Sequence, residues 1–191
     1  MHSLTEKLNE LRQNLKGGVS SMKQTGFDPV YYIVFPAEEI LQAKLMLPQM
    51  LAQLKLDGFR PQVLSLSTML NQWFRTHKLR KAWQAGLQDA DDPRQQFRRT
   101  FSTKLEKESI IADAILAELE SLRDIPGGML IITDIEALHP FLHISGIEQQ
   151  LNGKFCVPTV VLYPGTRGGF HSLRFLGIHK ENGNYRSIHI G

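Results

Sequence analysis

The sequence predicts an α/β layered protein, a Rossmann-like or degenerate P-loop-like fold with a mostly parallel central sheet flanked by helices and an antiparallel hairpin at its C-terminal edge. Three observations predict it. Unbroken apolar runs at residues 30–35, 129–133 and 159–162 show no polar alternation, the pattern of strands covered on both faces. Segments of helical period separate these runs and are long enough for the crossovers that parallel strands need. Residues 173–178 and 185–190 flank the turn-rich Glu181-Asn182-Gly183-Asn184, which reads as a hairpin.

Each element has its own signal. Ser3 with Glu6 makes a capping box, and Leu4, Leu8, Leu11 and Leu15 then share one stripe until Gly17-Gly18, so residues 1–16 are an amphipathic helix. Residues 20–26 read as a connector. Val30-Tyr31-Tyr32-Ile33-Val34-Phe35 is the first strand. Pro36, followed by Glu38-Glu39, starts a helix expected to reach about Lys55 with a kink near Pro48. Residues 62–66 form the second strand, with Ser67 as the expected cap of a helix that continues through the basic stretch to Lys81. Asp92-Pro93 opens another helix. A long helix over 103–122 carries Leu105, Ile111, Ala112, Ile115, Leu119 and Leu122 at helical spacing and stops at Pro126-Gly127-Gly128. The whole is expected to be one domain over 1–191, with residues 67–123 a partly basic helical layer or insertion.

Composition narrows the function. Hydrophobic residues make up 42% and charged residues 21%, the balance of a globular protein. No stretch approaches the roughly 20 apolar residues of a membrane span, and the polar N-terminus lacks a signal-peptide pattern, so a cytoplasmic protein is expected. The single cysteine, Cys156, excludes an internal disulfide and a thiolate-cluster zinc site. Charge falls in blocks. Residues 75–107 hold nine Lys and Arg against four Asp and Glu, residues 108–153 one against eight, and residues 154–191 five against one. Such blocks either neutralise one another on packing or dock charged partners.

Three constellations bear on chemistry. In Tyr163-Pro164-Gly165-Thr166-Arg167-Gly168-Gly169 a buried strand runs into a glycine-rich, arginine-bearing loop whose backbone N–H groups suit an anion, or simply a tight turn. Leu130-Ile131-Ile132-Thr133-Asp134 resembles a Walker B strand, but the chain has no Gly-x-x-x-x-Gly-Lys-[Ser/Thr], and Pro36-Ala37-Glu38-Glu39 is acidic where a phosphate loop is glycine-rich and basic. Asp134 is therefore read as a cap or turn residue. Asp134, Glu136, His139 and His143 do not make a persuasive metal set, because Pro140 interrupts the helix that His139 and His143 would share. Trp73, Phe74, Trp83, Phe97 and Phe101 interleave with Lys78, Arg80, Arg94, Arg98 and Arg99, a texture shared by nucleic-acid surfaces and by helices with aromatic cores and solvated basic faces.

Four stretches in order resemble the BrxB family of bacterial BREX phage-defence systems: Phe35-Pro36-Ala37-Glu38-Glu39; Leu130-Ile131-Ile132-Thr133-Asp134 with Pro140-Phe141-Leu142; Pro158-Thr159-Val160-Val161-Leu162-Tyr163-Pro164-Gly165; and Leu173-Arg174-Phe175-Leu176-Gly177 leading to Tyr185-Arg186. The resemblance spans about residues 1–191, and the Tyr-Pro-Gly segment followed by Leu-Arg-Phe-x-Gly is its most specific part. Ala37 and His143 depart from the family pattern. The resemblance implies a component of a multi-protein defence system with no enzymatic activity and no cofactor, an adaptor whose first partner is the alkaline-phosphatase-like protein PglZ. Tyr163, Arg167, Arg174 and Arg186 are then the expected partner-binding residues. Two alternatives stand beside this reading: a nucleic-acid-binding subunit using Lys78, Arg80, Arg94, Arg98 and Arg99, and a degenerate nucleotide-binding protein.

Overall fold

The structure, a computed structural model, describes residues 3–16, 28–88, 91–168, 172–177, 182–183 and 187–191. Helix α1 (Leu4–Lys16) starts on the expected capping box, with the Ser3 amide donating to the Glu6 carboxylate at 2.6 Å and the Glu6 amide to the Ser3 hydroxyl at 3.3 Å. Strand β1 (Val30–Phe35) leads through a single 3₁₀ turn, Ala37–Glu39, into α2 (Ile40–Leu56). Then come β2 (Arg60–Ser65), α3 (Leu66–Thr76), α4 (Arg80–Gln88), α5 (Pro93–Lys107), α6 (Ile110–Leu122) and β3 (Gly128–Thr133). A 3₁₀ turn at Ile135–Leu138 precedes α7 (Ile144–Leu151), β4 (Thr159–Arg167), β5 (Ser172–Phe175), β6 (Asn182–Gly183) and β7 (Ile188–Ile190).

The sheet runs in the order β2-β3-β4-β1-β7, with every pair along that path parallel. A Rossmann sheet sets its first strand beside its second; here β1 lies between β4 and β7, so the order differs from the Rossmann one. Alternation along the central strands divides the core in two. Val30, Tyr32, Val34, Leu130, Ile132, Val161 and Tyr163 face the layer of α3, α5, α6 and α7. Tyr31, Ile33, Phe35, Met129, Ile131, Val160 and Leu162 face α1 and α2.

Several local expectations are corrected. The cap of α3 is Ser65, whose hydroxyl accepts from the Thr68 amide, and not Ser67, because β2 passes directly into the helix. The basic stretch is not one helix: His77 is extended and α4 starts afresh at Arg80. The long helix is two, α5 and α6, broken at Ser109 with φ 47°. An unbroken rod over 93–122 would be about 45 Å long, more than twice the ~20 Å of a six-residue strand. Residues 188–190 do not pair with β5 but join the outer side of β1 in parallel, pairing Tyr31 with Ile188 and Ile33 with Ile190; residues 178 and 185–186 of the expected hairpin lie outside the described residues. Ile190 is thereby fully buried. The antiparallel part consists of β4, β5 and the short β6.

The Tyr-Pro-Gly segment is strand, not loop. Strand β4 runs on past the parallel sheet to Arg167 and pairs with β5 through Gly165 opposite Phe175 and Thr166 opposite Arg174. Gly165 is needed for close approach and not for positive φ: a Cβ there would collide with the Arg174 carbonyl oxygen and the Tyr163 ring. We expect Gly165→Ala to cost about 1–3 kcal/mol in urea unfolding, the usual penalty for overpacking. An unchanged midpoint would show that the ribbon gives way freely.

Candidate functional site

In open parallel sheets ligands bind beyond the carboxyl ends of the strands, where neighbouring connections diverge. That point lies here between β1, whose chain crosses to β2, and β4, whose chain ends at β7. Next to it, at the ends of β2 and β3, side chains of this protein bond to one another. Asp134, at the end of β3, has φ 59° and ψ 35°, a left-handed conformation that aspartate tolerates better than most residues. Lys44 of α2 bonds its carboxylate at 2.6 Å and that of Glu136 at 2.8 Å. Ser65 donates to the other Asp134 oxygen at 2.5 Å and Thr133 at 3.0 Å. One carboxylate thus ties α2 and the ends of β2 and β3 together. Burial pushes the Asp134 carboxyl up, but the bonds from Lys44, Ser65 and Thr133 outweigh it and hold the group below the ordinary carboxylate range. The same bonds to Asp134 and Glu136 raise Lys44.

The space beside this cluster is a cavity of about 140 Å³ lined by Phe35, Ile40, Ala43, Leu47 and Leu162. Ligand clefts run from about 300 Å³ upward. Ahead of it stands Pro36, which has no N–H to offer, and a single 3₁₀ turn carrying Glu38 and Glu39. A phosphate-cradling loop needs the opposite on both counts. Asp134 does sit at a helical start, but its side chain makes no capping bond; its role is the lysine and serine bridge, which spacing alone gave no means of reading.

A second cation serves the end of β1 and was missed in the sequence. Lys7 of α1 is 3% exposed and donates to the Val34 carbonyl at 2.7 Å. Burial lowers its pKa against the pull of Glu39 and Glu10. Its position three residues after Leu4, on the apolar stripe, was the available signal. Beside it Arg167 donates to the Gly191 carbonyl at 2.7 Å.

The expected partner-binding residues do not form one surface. Tyr163 is 1% exposed, with its ring edge-on to Tyr32 and Phe175 at 5.5 and 5.4 Å, so it is a core residue and presents nothing to a partner. Its burial follows from β4 continuing as a strand, which turns position 163 inward with Val161. Arg167 is exposed but engaged, Arg174 is exposed on β5, and Arg186 lies outside the described residues.

In the basic layer the aromatics pack on one another. Trp83 stacks on His77 at 4.4 Å, Phe97 on Phe101 at 5.1 Å, and Phe101 meets Phe141 at 4.7 Å. They are a small core under α3, α4 and α5 and not platforms for bases. The half-buried Arg80 lies 5.9 Å over the Phe74 ring. Lys78, Arg94, Arg98 and Arg99 are exposed and form no ion pair among the described residues, whereas Lys104 is taken up by Glu108 at 2.9 Å. Among the described residues no three His, Cys, Asp or Glu side chains gather as metal ligands, and no helix is long and apolar enough to cross a membrane.

A family model described as BREX protein BrxB matches residues 63–190, well over half of the chain. No curated protein and no solved structure matches it.

The bridge makes a pH prediction. Asp134, with its pKa depressed in the folded state, stabilises the fold above the unfolded carboxylate pKa, and that contribution disappears as pH falls through the folded value. Lys44, with its pKa raised, contributes below the unfolded lysine pKa and loses its share only in strong alkali. The pair is therefore constant around neutrality and fails below about pH 4. Asp134→Asn should cost about 1–2 kcal/mol at pH 7, allowing for the half-exposed lysine, and should flatten the acid limb of a stability-against-pH curve. A variant as acid-sensitive as the parent would show that other carboxylates govern that limb.

Proposed function

The chain belongs to the BrxB family of BREX proteins, which makes it a component of a phage-defence system, and from that membership we propose that it works as a non-catalytic adaptor docking another BREX component, first of all a PglZ-type protein. The observation that carries this reading is the self-bonded cluster beside the crevice. Beside the point where an α/β sheet ordinarily receives its ligand, Lys44, Asp134, Glu136 and Ser65 satisfy one another, and the cavity between them, Phe35 and Leu162, about 140 Å³, is too small for a nucleotide. The parallel sheet then serves as a frame. Surfaces, not the crevice, are then left to do the work.

Co-expression with a PglZ-type protein from the same defence system tests this. A complex that survives size-exclusion chromatography at micromolar concentration is expected, and separate elution of the two proteins would count against the proposal. Millimolar ATP with magnesium should leave the melting temperature unchanged, since a ligand stabilises only a fold that binds it. A shift of several degrees would return the nucleotide-binding reading to first place.

A specific observation supports one second reading. Arg94, Arg98 and Arg99 project from α5 without acidic partners among the described residues, which suits contact with a phosphate backbone and no base readout. It predicts DNA binding that weakens steeply with salt and is lost in Arg98→Glu/Arg99→Glu. Absence of binding at low ionic strength would remove it.

A further inference from the structure

Two surfaces around the sheet stand open among the described residues. Along the outer side of α2, Leu41, Leu45 and Leu56 are 69%, 73% and 81% exposed. At the free edge of the sheet lies β2, which pairs with β3 and, among the described residues, with no strand on its other side. Exposed leucines do not say what covers them, but the unpaired backbone groups of an edge strand point in fixed directions and so specify their complement. The two edges of the parallel sheet differ. Strand β7 has three residues, mostly buried, a short edge of the kind that resists pairing, whereas β2 has six, three of them exposed.

Which groups of β2 face outward follows from its ladder. The Arg60 amide donates to the Gly127 carbonyl at 2.7 Å, so Arg60, Gln62 and Leu64 turn their backbone groups toward β3, and Pro61, Val63 and Ser65 turn theirs to the open edge. That edge therefore offers the Pro61 carbonyl, both groups of Val63 and the Ser65 amide. It offers no amide at Pro61, which has none, and no carbonyl at Ser65, because Ser65 caps α3 and its carbonyl takes the first helical bond. The set is its own complement. In an antiparallel ribbon centred on Val63, the Val63 amide and carbonyl bond those of Val63 in a second copy, and each Ser65 amide meets the Pro61 carbonyl of the other. The carbonyl opposite the missing Pro61 amide is the one that Ser65 has committed to α3. A shift of two residues sets Val63 against Pro61 or against Ser65 and leaves its carbonyl or its amide unmet. A foreign strand, extended throughout, presents a carbonyl opposite Pro61 that finds no donor.

The side chains agree with this register. Val63, 38% exposed, meets its own counterpart across the axis as a β-branched pair. Arg60, the one charged residue of β2, stands ~20 Å from its counterpart, beyond the screening length at physiological salt. We infer that β2 pairs with β2 of a second copy about a two-fold axis through Val63, joining two parallel five-strand paths, β2-β3-β4-β1-β7 in each copy, into one continuous sheet. Open sheets of such width occur in α/β proteins. The inference goes beyond the adaptor reading and does not depend on it.

Sedimentation of the full chain from micromolar to submillimolar concentration tests this. A monomer–dimer equilibrium is expected, with dissociation in the micromolar range because an edge contact buries less than a standard interface. Val63→Lys sets two like charges face to face at an exposed position and should weaken the dimer at least about tenfold while leaving the urea midpoint of the monomer in place. Val63→Glu should do the same, and mixing the two variants should restore a dimer, since the axis sets position 63 against itself. Val63→Pro, which removes an amide that the ladder to β3 does not use, should also abolish dimerisation. A chain that stays monomeric throughout, a dimer that Val63→Lys leaves intact, or Lys and Glu variants that fail to recombine each overturns the inference. So does a dimer lost in Leu45→Glu and kept in Val63→Lys, which would move the contact to α2.

Discussion

A parallel sheet whose central strands are apolar on both sides has to be covered twice, and most of this structure follows from how unequally the two coverings are made. All six residues of β1 and all six of β3 are buried. On one face four helices, α3, α5, α6 and α7, build a thick layer with an aromatic core of its own. On the other, among the described residues, there are only α1 and α2. Helix α1 is sharply amphipathic, so it ends the layer cleanly, with Leu11 fully buried and its charged residues other than Lys7 outward. Helix α2 buries one side and is equally apolar on the other. The thin layer therefore exposes an apolar surface where the thick one exposes arginines and lysines.

The ends of the strands show the same economy with charge. Backbone carbonyls and turn residues at the carboxyl edge of a parallel sheet would otherwise face a crevice open to water. Lys7 closes the end of β1 by donating to Val34, and Lys44 closes the ends of β2 and β3 through Asp134. Both lysines come from the α1 and α2 side. Removing either acid or base would leave a partly buried charge unpaired, which costs more than the pair itself contributes. The cluster thus holds α2 in place relative to the sheet and fixes which way its outer stripe points.

Much of this was legible in the sequence, and the rest had physical reasons to be hidden. The strands were readable because doubly covered strands leave unbroken apolar runs, and α1 because Ser3, Glu6 and the leucine stripe agree. The break at Ser109 was not, since Phe101, Leu105, Ala112 and Ile115 keep helical spacing across it and no glycine or proline marks it. Gly165 suggested a loop because glycine is the common turn residue; its actual cause is the Arg174 carbonyl packed where a side chain would be. With the loop went the surface role of Tyr163. The bridge at Asp134 joins residues from three separate elements, Lys44, Ser65 and Thr133, which no local spacing can bring together. In α2 the sequence showed an apolar helix, but when two opposite sides are apolar, periodicity cannot say which of them is core.

The blocks of opposite charge along the chain also acquire a meaning. Internal neutralisation would have paired the basic residues 75–107 with the acidic residues 108–153 on packing. Among the described residues that pairing is confined to Glu108, which takes Lys104 and His77. Other acids are used nearby or elsewhere: Glu120 by Arg123, Asp134 and Glu136 by Lys44. Arg94, Arg98 and Arg99 therefore keep their charge on the outside of the thick layer, on the opposite side of the sheet from the leucines of α2. A small rigid sheet then carries two surfaces of unlike chemistry on opposite faces, one electrostatic and salt-sensitive, one apolar and comparatively salt-insensitive. For the adaptor proposed above, such an arrangement would keep two partners from competing for the same area.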